Sequence, residues 1–124
     1  MRDELADKLY TNYPEIFANR ESFWGFECGD GWYDLIDSLC SQITFHLKHN
    51  AAEGTEPFVV AQVKEKFGGL RFYGDGGDDR VRHFIWFAEG FSQRVCETCG
   101  APGKTRGNSW IYTSCDQHAK EGDA

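Results

Sequence analysis

Cys96-x-x-Cys99 and Cys115-x-x-His118 are the residues whose types and spacing point most directly to chemistry. Each pair has two residues between its members, and 15 residues separate the pairs, a pattern that fits a tetrahedral Cys3His zinc site. Two intervening residues let one tight turn aim both donors at a single ion. Gly100, directly after Cys99, supplies the backbone freedom such a turn needs. The spacer can bring the second pair back to the first. Residues 103–108 are turn-rich and Trp110-Ile111-Tyr112-Thr113 is strand-prone, so a small hairpin would return Cys115 to Cys96. With four protein ligands no position stays open for a water or substrate, so the expected Zn(2+) is a single structural ion. The five cysteines are an odd number and no secretory signal precedes them, which argues against a disulfide framework. Cys40 falls on an apolar helical stripe and reads as a small buried hydrophobe. Cys28 has no paired spacing, and its role stays open.

Two further groups could bind something. Phe58–Val63 is rich in strand formers, and Gly68-Gly69 suits a two-residue hairpin loop. With those glycines as the loop, Phe67 faces Leu70, Lys66 faces Arg71 and Glu65 faces Phe72. Strand alternation then places Lys64, Lys66, Arg71 and Tyr73 on one side, and Val63, Glu65, Phe67, Leu70 and Phe72 on the other. Three cations together could take an anionic nucleotide or an acidic protein patch, or could be a solvated face that discourages edge aggregation. Glu65 would sit at the rim of the apolar face or pair with a buried cation. The second group is the loop Trp24-Gly25-Phe26-Glu27-Cys28-Gly29-Asp30-Gly31-Trp32. Its glycines allow close backbone approach, Trp24 could stack on a ligand, and Glu27 and Asp30 could accept hydrogen bonds. Asp30 also reads as a cap for the next helix. No base–nucleophile set emerges from spacing, so catalytic residues are not expected.

These groups need elements to hold them. Residues 3–10 read as a short helix ended by Pro14. Trp32, Leu35, Ile36, Leu39, Cys40, Ile43 and Leu47 repeat at helical period, giving a second helix that fades near Asn50. After the hairpin, 74–79 is a loop ending in a cap. Val81, Phe84, Ile85, Ala88, Phe91 and Val95 then mark a third helix, whose Trp86 and Phe87 suggest cover on two sides. The expectation is an α+β fold: residues 1–95 form helices packed on a short antiparallel β-hairpin, and residues 96–124 form a treble-clef or zinc-ribbon-like finger packed on that core as one unit. The chain has 124 residues, enough to bury a core, and no apolar run of the roughly 18 residues a membrane span needs. Its net charge is −7, and residues 1–55 hold 10 acidic against 4 basic side chains. General nucleic-acid binding is disfavoured by that balance, and only Lys104, Arg106 and Lys120 are basic in the finger.

Phe26-Glu27-Cys28-Gly29-Asp30-Gly31-Trp32, Val63-Lys64-Glu65-Lys66-Phe67-Gly68-Gly69-Leu70-Arg71-Phe72 and Cys96-Glu97-Thr98-Cys99-Gly100 together resemble a group of small proteins of tailed bacteriophages and prophages that carry a C-terminal CxxC…CxxH finger. The resemblance brings no catalytic residues. It implies an accessory protein made in the cytoplasm of a bacterial host, where such proteins often counter defences. The leading expectation is a non-enzymatic protein that binds and inhibits a host protein, such as a defence component in the manner of an anti-CRISPR, through either its acidic N-terminal half or its basic hairpin face. The alternatives are sequestration of an anionic nucleotide between Lys64, Lys66, Arg71 and the Trp24–Trp32 loop, or nucleic-acid binding through the finger.

Overall fold

A computed structural model describes residues 1–123, so Ala124, the last residue of the expected finger, lies outside the described residues. Three helices form where the apolar periodicity places them, except that the third ends at Ser92 and leaves Val95 outside it, bridged to Pro102. Helix α1 (Asp3–Asn12) buries Leu9 and stops at Tyr13, whose ψ of 57° leaves the helical region before Pro14. Helix α2 (Tyr33–His49) buries Ile36, Leu39, Cys40 and Ile43, as the stripe predicts, and also His46. Helix α3 (Asp79–Ser92) is capped by Asp78, whose carboxylate accepts the Val81 N–H at 3.1 Å. No helix among the described residues is long and apolar enough to cross a membrane.

Two helix expectations are corrected. Asp30 does not cap α2. It opens a 3-10 turn (Asp30–Trp32), and its carboxylate accepts the Arg2 N–H at 2.7 Å and pairs with the Arg2 guanidinium at 3.2 Å. Trp86 and Phe87 do not give α3 a second covered side, because they are 62% and 74% exposed.

The sheet has three strands rather than two, in the order β1-β2-β3. Strand β1 (Phe26–Glu27) runs parallel to β2 (Val59–Lys66), which pairs antiparallel with β3 (Gly69–Asp75). The β2–β3 loop is Phe67-Gly68, not Gly68-Gly69, with φ of 53° and 81° at the two positions. Lys66 therefore opposes Gly69, Glu65 opposes Leu70 and Lys64 opposes Arg71. Phe67 leaves the apolar face and stands in the turn. Moving a loop by one residue changes each cross-strand partner by two positions, and two is the side-chain period, so both faces otherwise keep their membership. A bulge between Val60 and Gln62 adjusts the register farther down the strand.

Across the sheet, Phe26, Val63 and Phe72 form one inner row, while Glu27, Lys64 and Arg71 form the matching outer row. Helix α3 covers the free edge of β3 through side chains. Ser92 Oγ accepts the Leu70 N–H at 2.8 Å, and the Glu89 carboxylate accepts the Phe72 N–H at 2.9 Å. The inner face closes on Ile36, Ile43, Val81 and Ile85. Beside it Tyr10, Phe17, Phe23 and Phe26 pack with ring centroids 5.1–6.2 Å apart.

The C-terminal segment follows the treble-clef order of knuckle, hairpin and helical turn. The knuckle is closed by Cys96 N–H donating to Ala101 O and Gly100 N–H to Cys96 O. Strand β4 (Lys104–Arg106) pairs antiparallel with β5 (Tyr112–Ser114), and a single 3-10 turn (Asp116–His118) follows.

Candidate metal centre

The expected ligands meet. The donor atoms of Cys96, Cys99, Cys115 and His118 all lie within 4.8 Å of one another. Cys96 Sγ is 3.7 Å from His118 Nδ1, Cys99 Sγ is 3.7 Å from Cys115 Sγ, and Cys115 Sγ is 3.2 Å from His118 Nδ1. A tetrahedron with arms of about 2.3 Å to sulfur and about 2.0 Å to nitrogen has edges of roughly 3.5–3.8 Å. The cluster thus has the donor chemistry and the dimensions of a metal centre. Cys96 and Cys115 are buried, while Cys99 and His118 face solvent.

The local backbone prepares the donors. Burial pushes the Cys96 thiol up, but the N–H groups of Cys115, Cys99 and Thr98 point at its sulfur and bring it down to about 6. Contact with His118 lowers Cys115, and the same contact raises His118. A thiolate is the ligand form of cysteine, so the lowered Cys96 and Cys115 suit a cation. Cys99 is drawn down by the Ala101 N–H but raised on balance by desolvation and its neighbouring thiols. Cys99 and the raised His118 must each give up a proton to bind a cation. Gly100 takes φ of 83°, the left-handed geometry the knuckle was expected to need.

Contacts from the body hold the knuckle in place. Gly31 N–H donates to Glu97 O at 2.8 Å, Gly29 N–H donates to the Glu97 carboxylate at 2.8 Å, and the Trp32 indole donates to Val95 O at 2.8 Å. A Cβ on Gly31 would lie 2.1 Å from Cys96 O and 2.7 Å from Cys99 N. The glycines of the aromatic loop do allow a close approach, and what approaches them is the Cys96–Gly100 knuckle. Burial pushes the Glu97 carboxyl above its ordinary range, the Gly29 N–H draws it back, and the nearby Glu65 charge raises it again. On the other flank, Thr113 donates its hydroxyl to Gly68 O at 2.6 Å. Within the finger, the buried Arg106 donates to Ser114 O at 3.2 Å and to the Asp116 carboxylate at 2.8 Å, tying β4 to the turn that carries His118. Spacing gave no sign that this arginine would be internal.

Comparison with family models, with curated proteins and with solved structures finds no match.

The remaining residues singled out by sequence separate into two places. Lys64, Lys66, Arg71 and Tyr73 share the outer face of the sheet, with Lys64 directly across from Arg71 and Gln62 from Tyr73. Tyr73 is 42% exposed. Among the described residues none of the three cations has a carboxylate within 4.0 Å. Glu27 is exposed at the β1 end of the same row. Trp24 stands 86% exposed over a cleft lined by Asp3, Asp7, Tyr10 and Arg20, and none of the sheet cations lines that cleft. Asp30 is engaged by Arg2. Glu65 lies beside Leu70 in register, and its carboxylate accepts the Gly68 N–H at 2.8 Å instead of meeting a cation.

Sequence spacing also missed one partly buried pair. His46 Nε2 lies 2.8 Å from the Asp78 carboxylate, and its Nδ1 is buried without a partner. The contact lowers the Asp78 carboxyl. Cys28 is buried, and that burial, reinforced by Glu97, pushes its thiol up to about 12, which leaves it a poor nucleophile. Cys40 is fully buried on α2, as its stripe position suggests.

Proposed function

We propose that this chain is a non-enzymatic binding protein, stapled by one structural zinc ion, that docks an acidic protein surface on the outer face of its sheet. The observation that carries the reading is the Lys64–Arg71 pair. Two cations stand directly opposite each other on adjacent strands, an arrangement that destabilises a sheet. Glu27 lies in register beside Lys64, but among the described residues no carboxylate comes within 4.0 Å of either cation. An acidic partner would supply the missing countercharge. Three thiolates and one imidazole favour zinc over harder cations, and four protein donors leave no open position for catalysis. The resemblance to phage-encoded proteins supports a host protein as the partner, a defence component by analogy, with the host cytoplasm as the place of action.

Native mass spectrometry tests the metal, and one zinc per chain is the expected result. For the surface, proteins retained from bacterial lysate are identified, purified and titrated against the wild type and the Lys64→Glu/Arg71→Glu double variant. Loss of an acidic partner in the double variant is expected. Unchanged affinity removes the outer face from the reading. A nucleotide-sized adduct in the native spectrum would replace the protein partner with an anionic small molecule.

A further inference from the structure

Phe67 is the only residue other than glycine with positive φ among the described residues. A two-residue hairpin loop with positive φ at both positions favours Asn, Asp or Gly at the first of them. A bulky aromatic side chain at such a position is an outlier that strains the backbone. Burial does not offset the strain, because the ring is 67% exposed.

The turn beneath the ring is fixed from two sides. Gly68 N–H donates to the Glu65 carboxylate, and Gly68 O accepts the Thr113 hydroxyl of the finger. Gly68 itself is buried, and a Cβ there would lie 3.1–3.4 Å from Thr113, Tyr112 and Ile111. The ring is therefore an apolar knob on a rigid mount. Lys66 places its ammonium 5.7 Å from the ring centroid, and Lys64 and Arg71 continue along the strands below.

An aromatic anchor bordered by charge is the anatomy of a protein–protein hot spot, and a preformed mount avoids part of the ordering cost of binding. We infer that Phe67 is the anchor of the docking face and enters an apolar pocket on an acidic protein partner. The inference rests on the function proposed above and names the contact that would dominate it. Nucleic acid fits less well. A chain of net charge −7 repels a long phosphate backbone over the rest of its surface.

The test uses the full metal-loaded chain as wild type, Phe67→Asn, and Lys64→Glu/Arg71→Glu. Melting comes first. Asn followed by Gly relieves the turn, so Phe67→Asn should melt about 4 °C higher. A lower melting temperature makes Phe67 a structural residue and overturns the inference. The acidic protein retained by the wild type is then purified and titrated by calorimetry against all three. Phe67→Asn should bind about 30-fold more weakly, the loss expected of a hot spot. Unchanged affinity in Phe67→Asn, with loss in the charge variant, overturns the anchor and leaves the face. Equal affinity in all three overturns the face itself. Retention that nuclease abolishes assigns the surface to nucleic acid and overturns the protein partner, and retention of no acidic protein overturns both readings.

Discussion

The body of the molecule buries full-sized apolar side chains: Trp32, Leu9, Ile16, Ile36, Ile43 and Leu70 are all under 2% exposed. In the finger the largest fully buried side chains among the described residues are only Cys96 and Thr113, a thiol of the donor cluster and a hydroxyl. The first region is held by removal of apolar surface from water. The second has too little such surface, and has instead four donors clustered as for one ion and hydrogen bonds to the body. The contrast separates a segment built around a donor cluster from one built around an apolar core. It also implies that the two regions fail under different insults.

Metal removal should give the largest effect. In isolated fingers the ion contributes on the order of 10 kcal/mol, so a strong chelator should abolish amide protection across Cys96–His118. Protection in α2 should persist, and its equal loss in hydrogen exchange would break the distinction between the regions. Truncation in the body is the reciprocal experiment. Ile43→Ala, at a site with no exposure, should cost about 2–5 kcal/mol in denaturant unfolding while leaving metal stoichiometry unchanged.

Asp78→Ala should cost about 1–2 kcal/mol through the lost cap, together with the partner of His46. Hydrogen bonding to His46 lowers the folded-state carboxyl below its ordinary 3.8. Its contribution is therefore present above that value and lost as pH falls through the depressed one, so the wild-type advantage over the variant should disappear in acid melts. Glu97→Gln should have the smallest effect and sharpens the contact between the regions. Burial raises the folded carboxyl above 4.5, so its ionised form opposes folding at neutral pH. The amide keeps an acceptor for Gly29 without the charge. The variant should match or slightly exceed wild-type stability at pH 7, and that margin should shrink as acid protonates Glu97.

Local rules made some of this legible in the sequence and left other parts hidden. The ligand pairs, the α2 stripe and the acidic cap of α3 depend on neighbours in the chain, and they could be read directly. The two-residue β1 could not, since its partner Val63 lies 37 residues away and two residues carry no period. The hairpin loop was misplaced because Gly68-Gly69 satisfies turn preferences by itself. The observed loop is instead fixed by Glu65 and by Thr113, the latter 45 residues from Gly68. Apolar spacing placed Trp86 and Phe87 on α3 but could not count the layers that pack against it. His46 was hidden for a similar reason, because Asp78 is 32 residues distant.

Trp32 gives the molecule an optical signature. Trp24, Trp86 and Trp110 are between 62% and 86% exposed, whereas Trp32 is fully enclosed and hydrogen-bonded to the residue preceding Cys96. Iodide should quench the emission of the three outer indoles and spare the blue-shifted light of the fourth. Withdrawal of the ion would let solvent reach that indole from the side the knuckle now closes, so the seating of the finger can be followed in real time without any added dye.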